Sequence, residues 1–205
     1  VAEIYKNATI EDSKVLTYFL QGRINAAFVQ SEFAIGEKLI LRMFSEKYGF
    51  ELDYIVSEFK KIGDLGKFTY SFLSSNGKTS IPTNAKNHSL SSICSVYENL
   101  DKLQKVSGKD STVFKIDLLF DLISTASPLE AKYIIRIIAG NIGLGLSDKS
   151  IIDSLSILCV GNKEVRSNIE IAFGRRCDLG ELAMQLKQYI EEGGEDFIAL
   201  LSEIK

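Results

Sequence analysis

The sequence predicts an all-α fold of about ten short helices in one compact domain, and three observations carry that reading. Apolar residues recur at steps of three and four nearly everywhere. Only two prolines, Pro82 and Pro128, interrupt the pattern. Helix start and stop signals also fall where the periodicity begins and ends.

Val15, Leu16, Phe19 and Leu20 form one apolar stripe, Leu52, Ile55, Val56 and Phe59 a second, and Ala131, Ile134, Ile135 and Ile138 a third. Each needs a partner helix to leave water. Ser127-Pro128-Leu129-Glu130 places a capping hydroxyl, a proline at the first helical position and a glutamate three residues after the cap, and Asp178-Leu179-Gly180-Glu181 repeats the cap-x-x-Glu logic. Gly22, Gly49, Gly108, Gly140 and Gly161 read as helix stops. Residues 74–88, rich in Ser, Asn and Lys, read as a connector between halves at about 1–73 and 89–190, with residues 191–205 leading onward. The halves resemble each other: Gly36 opens a helix and Gly63-Asp64-Leu65-Gly66 a later one, as do Gly145 and Cys177-Asp178-Leu179-Gly180.

With 205 residues and 45% hydrophobic content, the chain has ample material for a core. Its apolar runs are too short to span a bilayer, so no membrane association is expected. Cys94, Cys159 and Cys177 are odd in number and far apart, which reads as buried reduced thiols inside a cell. The net charge is −3, but Glu191, Glu192, Glu195, Asp196 and Glu203 crowd the end, which leaves the rest near neutral and compatible with a local basic face.

Catalytic patterns fail on spacing. Asn76-Gly77-Lys78-Thr79 ends like a phosphate loop, but Phe72 stands where its first glycine belongs. Gly140, Gly143 and Gly145 lack both the dinucleotide-binding spacing and a preceding strand. His88, the single histidine, lies in the polar connector. Asp117 and Asp121 share a helix face but have no third ligand, so neither a metal site nor a catalytic constellation is assigned.

The order of five segments is more specific: "LTYFLQGRINAAFVQSEFAIGEKLI", "IGDLGKF", "VSGKDSTVFKIDLLFDLI", "EAKYIIRIIAGNIGLGLSDKSIIDSL" and "CDLGELAMQL". Together, from about Val15 to Leu186, they resemble the N-terminal, DNA-binding region of ATP-dependent DNA ligases of the archaeal and eukaryotic replicative type. The resemblance implies a helical domain that grips nicked double-stranded DNA through the minor groove and phosphates, in replication, repair and recombination. It also implies nucleotidyltransferase and OB-fold domains of the same enzyme as partners, ATP and Mg2+ as cofactors of the full-length enzyme with none in this chain, and a sliding clamp as a further candidate partner. Location would be the cytoplasm in an archaeon and the nucleus in a eukaryote. The K-x-D-G motif is missing, since Lys115-Ile116-Asp117 runs on into Leu118, so this chain alone is not expected to seal a nick. The helix that usually precedes "EIYKN" in the family is expected to be missing, and residues 193–205 read as the last helix before the linker to the catalytic domain.

Carried over residue by residue, the resemblance assigns DNA contact to Gly36, Gly108, Lys109, Ser111, Thr112, Lys115, Arg136, Gly140 and Gly145. Glycines ahead of helix N-termini suit this role, because backbone N–H groups and the helix dipole attract phosphate. The chain departs from the family at Gly143 and Asn141, where relatives carry basic side chains. Charge from Lys60, Lys61, Lys67, Arg175 and Arg176 offers a substitute. Two rivals stay open: a helical protein-interaction scaffold that binds no nucleic acid, and a helical enzyme with an unrecognised site at Asp117 and Asp121.

Overall fold

In the computed structural model, residues 1–29, 32–76, 92–108 and 111–204 are described. Among them there are twelve helices and no strand: α1 (Ala2–Asn7), α2 (Ile10–Leu20), α3 (Glu37–Tyr48), α4 (Leu52–Ile62), α5 (Leu65–Asn76), α6 (Ile93–Lys105), α7 (Ser111–Ser124), α8 (Pro128–Ile138), α9 (Asp148–Val160), α10 (Arg166–Arg176), α11 (Leu179–Glu191) and α12 (Phe197–Glu203). The all-α expectation holds. His88, Lys109 and the Gly77-Lys78-Thr79 stretch lie outside the described residues.

The helices sort into two units. One joins Val1–Gln30 to Leu144–Lys205, and the other is Ser31–Gly143. Both units therefore draw on each of the halves expected at 1–73 and 89–190, and all but residues 74–76 of the expected connector lie outside the described residues.

In the first unit, α2 and α11 form the most extensive helix pairing. Tyr5, Leu20, Ile151, Leu155, Ile169, Leu182, Leu186 and Phe197 fill its core. Each such side chain contributes about 1.5–3 kcal/mol relative to an exposed one. In the second unit the corresponding pairing is α5 with α8. Phe44 meets Phe68 and Phe72 edge-on at 5.2 and 5.0 Å and stacks on Tyr48 at 5.7 Å. The isoleucine stripe of α8 is buried as its spacing predicts, while Leu52 of the α4 stripe is exposed.

Local chemistry accounts for the helix boundaries. Ser127 and Glu130 make the expected reciprocal capping box at the start of α8. Asp178 accepts the Glu181 amide at 2.9 Å, and Asp64 accepts the Lys67 amide at 2.6 Å, so both Asp-Leu-Gly segments open helices in the same way. Gly22 and Gly140 end α2 and α8 with one and the same turn: Gly22 N–H donates to the Phe19 carbonyl and Arg23 N–H to that of Tyr18, as Gly140 does to Ile137 and Asn141 to Arg136. This is the paired-bond glycine stop that requires φ above zero, 74° and 69° here. Gly108, in contrast, is no helix stop: α6 ends at Lys105 with Val106 as its cap. Cys177 takes the left-handed position after α10 at φ 56° and is exposed, against the expectation of a buried thiol; Cys94 and Cys159 are half-buried.

The order α2–α5 is thus repeated as α8–α11. Its last helix packs in each unit on the first helix of the other copy, α11 on α2 and α5 on α8.

Candidate nucleic-acid interface

The glycine-rich segment begins where α8 stops. Gly140, Gly143 and Gly145 have φ of 69°, 66° and 65°, a region that other residues enter only with strain. An added Cβ would meet nothing within 4 Å at Gly140 or Gly145, so open space lies in front of both. Residues 143–145 are exposed, and the amides of Gly143, Leu144, Gly145 and Leu146 donate to no carbonyl or side chain among the described residues. Such a run of backbone N–H groups without partners among the described residues can hold an anion through backbone alone. Ser147 then caps α9, accepting the Ser150 amide at 3.3 Å. Asp148 sits in the first turn of α9 and is bonded by the Gln21 side chain at 2.6 Å.

Arg136 lies beneath this segment and points inward. Its side chain is 12% exposed. Nη2 donates to Asp64 Oδ2 at 2.9 Å, and Nη1 donates to the Ile142 carbonyl at 3.3 Å. The rest of the side chain crosses two glycines: a Cβ on Gly66 would come within 2.6 Å of Arg136 Cγ, and one on Gly143 within 2.9 Å of Nη1. A side chain at Gly143 would be strained by its positive φ and would press on the guanidinium tip, which would have to shift. Desolvation works to raise the Asp64 carboxyl, but the Lys67 amide and the Arg136 guanidinium outweigh it and hold it below the ordinary carboxylate value.

Lys115 is turned inward as well. It is 6% exposed, and its Nζ donates to the Phe33 carbonyl at 2.7 Å, just ahead of Gly36. Gly36 is the N-cap of α3, with open space in front of it and Glu37 in the first turn. Gly108, at φ 95°, also faces open space. In the first turn of α7, Ser111 is half-buried and Thr112 is exposed, followed by the exposed Val113 and Phe114. Of the three side-chain cations assigned to DNA contact, Lys115 and Arg136 thus serve as internal fasteners and Lys109 lies outside the described residues, whereas the assigned glycines front open space.

Of the substitute cations, Lys60 and Lys67 are exposed. Lys61 pairs with Glu58, and Arg176 lies 3.8 Å from Glu181. Arg175 donates to the Ser202 and Ile204 carbonyls at 3.1 and 3.3 Å and so caps the end of α12. Asp117 pairs with Lys47. No three His, Cys, Asp or Glu residues converge on a metal-sized site among the described residues. No helix among them is long and apolar enough to cross a membrane.

Residues 1–156 match the family model for the DNA ligase N terminus. Among curated relatives, the DNA ligase of Nitrosopumilus maritimus is 32% identical over 183 residues, covering 89% of this chain and 30% of the relative. The DNA ligase of Sulfurisphaera tokodaii is 31% identical over 199 residues, with 96% and 33% covered. The probable DNA ligase of Dictyoglomus turgidum is 28% identical over all 205 residues, 32% of its own length. The chain thus spans about a third of the relatives it matches. With the family model covering well over half of its residues, it belongs to the DNA ligase N-terminal domain family.

Proposed function

We propose that this chain binds nicked duplex DNA without regard to sequence, through phosphate and minor-groove contacts, as the DNA-gripping part of an ATP-dependent ligase. ATP and Mg2+ belong to the nucleotidyltransferase and OB-fold domains of the same enzyme, whose work is strand sealing in replication, repair and recombination. The observation that supports this reading best is the run of amides from Gly143 to Leu146, exposed over 143–145 and without hydrogen-bond partners among the described residues, entered through two left-handed glycines. Backbone donors read phosphate, not base, and so suit breaks that occur anywhere. Gly36 and Gly108 offer further sites of close approach, with Lys109, Ser111 and Thr112 beside the latter. A sliding clamp is retained as a further partner of the whole enzyme.

The test is fluorescence anisotropy with a nicked duplex over a range of salt. Affinity should fall steeply, with a slope of about −0.9 per phosphate neutralised. Gly145→Asp with Lys109→Glu should weaken binding without loss of helical circular dichroism, and unchanged affinity sinks the reading.

One observation favours the scaffold alternative. A half-open hollow of about 210 Å3 between α4 and α5, lined by Tyr54, Ile62, Phe68 and Phe72 with Glu58, Ser71 and Ser75, offers a partner protein a mixed polar and apolar contact. Tyr54→Ala should leave DNA affinity unchanged if the glycine segment carries the function.

A further inference from the structure

We infer that Arg136 is a positioning residue, which with Asp64 fixes the glycine segment in its DNA-receptive shape and does not itself touch phosphate. The inference rests on the proposed function and assigns within it a role that the resemblance alone gives differently.

Four observations converge. The guanidinium donates Nη2 to Asp64 and Nη1 to the Ile142 carbonyl, inside the very segment whose next four amides have no partner among the described residues. Its stem and head fill the space above Gly66 and Gly143, so both glycines are needed for the arginine to lie where it does. Asp64 is itself held, because its other oxygen caps α5 through the Lys67 amide. Finally, the Arg136 carbonyl receives the Asn141 amide at 2.9 Å, so one residue grips the segment through both backbone and side chain. A loop ordered before binding loses less entropy when the ligand arrives, which is the advantage such a clamp confers.

The sign of a charge change separates positioning from contact. Asp64→Asn removes a negative charge, which by electrostatics alone favours DNA, and the asparagine oxygen still caps α5. If the clamp positions the segment, D64N weakens nicked-duplex binding by about tenfold, because Arg136 loses its anchor. Arg136→Lys keeps the charge but cannot span Asp64 and Ile142 together; it should weaken binding to a similar degree. The slope of log K against log salt stays as in the wild type for both, whereas loss of a direct phosphate contact lowers it by about one.

The experiment measures anisotropy and salt slope for the wild-type chain, D64N and R136K, each checked by circular dichroism, alongside hydrogen exchange of the Asn141 amide. Weaker binding at constant slope, with faster Asn141 exchange, is the expected result. Equal or tighter binding by folded D64N, full affinity in R136K, or a slope reduced by about one overturns the inference. Should D64N fail to fold, R136K decides by the same criteria. If the wild-type chain binds no nicked duplex, the proposed function fails. Asn141 exchange unchanged in the variants refutes the clamp itself, whatever the DNA result.

Discussion

The Tyr18 hydroxyl donates to Asp178, 2.9 Å from one carboxylate oxygen and 3.1 Å from the other, and so ties α2 to the start of α11. The Tyr18 ring also covers Gly180, where a Cβ would fall 2.4 Å from the ring. Arg136 does the same for Asp64 and Gly66 in the other unit. A phenol in one copy and a guanidinium in the other are thus equivalent, since each holds the capping aspartate and lies across the glycine two residues on. Tyr18→Phe should destabilise the chain by about 1.5–3 kcal/mol in urea unfolding, the range for a hydrogen bond to a charged group.

Two glycine substitutions should move stability in opposite directions. Gly174 lies exposed in α10 with nothing within 4 Å of an added Cβ, so Gly174→Ala should gain about 0.5–1 kcal/mol from helix propensity. Gly180→Ala gains the same propensity but drives a methyl into a buried ring, at a cost of about 1–3 kcal/mol. Urea midpoints of the two variants on either side of the wild type are the expected result. Midpoints displaced in the same direction refute the packing argument.

Tyr48 carries a buried hydroxyl with no hydrogen-bond partner among the described residues, enclosed by Phe44, Phe72 and Phe120. Tyr48→Phe removes an unsatisfied polar atom and keeps the ring. It should leave stability unchanged or raise it by about 1 kcal/mol, whereas most core substitutions lower it. A fall in the thermal midpoint contradicts this account.

Stability should decline at both ends of the pH scale. Burial pushes the Tyr5 and Tyr48 hydroxyls up to about 12, and the Cys159 thiol also to about 12. Groups raised in the folded state contribute fully below their unfolded pKa, and that contribution is lost as pH climbs through the folded value. The alkaline decline therefore begins near pH 9 with Cys159 and steepens near pH 10 with the tyrosines. Asp64 and Asp153 are depressed: against the opposing desolvation, Asp64 by the Lys67 amide and Arg136, Asp153 first by its bond to Lys163 and then by Arg166. Their contribution is present above the ordinary carboxylate value and disappears as pH falls through the folded one. Urea midpoints measured from pH 2 to 11 should trace both limbs, and Y48F should soften the alkaline one.

Features set by near neighbours were legible in the sequence. The Ser127 box, the Asp178 cap and the glycine stops at 22, 49, 140 and 161 are all settled within a few residues. Lys115 and Arg136 were not, because their partners Phe33 and Asp64 lie 82 and 72 residues away, and a helical lysine or arginine looks the same in sequence whether it faces water or a distant carbonyl. The left-handed turn at Cys177 was hidden for another reason. Its counterpart is Gly63, and cysteine gives no hint of positive φ. The division into units escaped a linear reading because the repeat is duplicated in order but exchanged in packing.

That exchange bears on how the chain is made. The partner of α2 is α11, whose first residue is Leu179, and Ser31–Gly143 forms a unit from consecutive chain in between. At about 5–20 residues per second, the N-terminal helices wait on the order of ten seconds or more on the ribosome for that partner. The unit that starts second is therefore the one able to fold first. Until α11 is translated, the apolar face of α2 lacks its own mate and is open to capture by a chaperone or by another nascent copy.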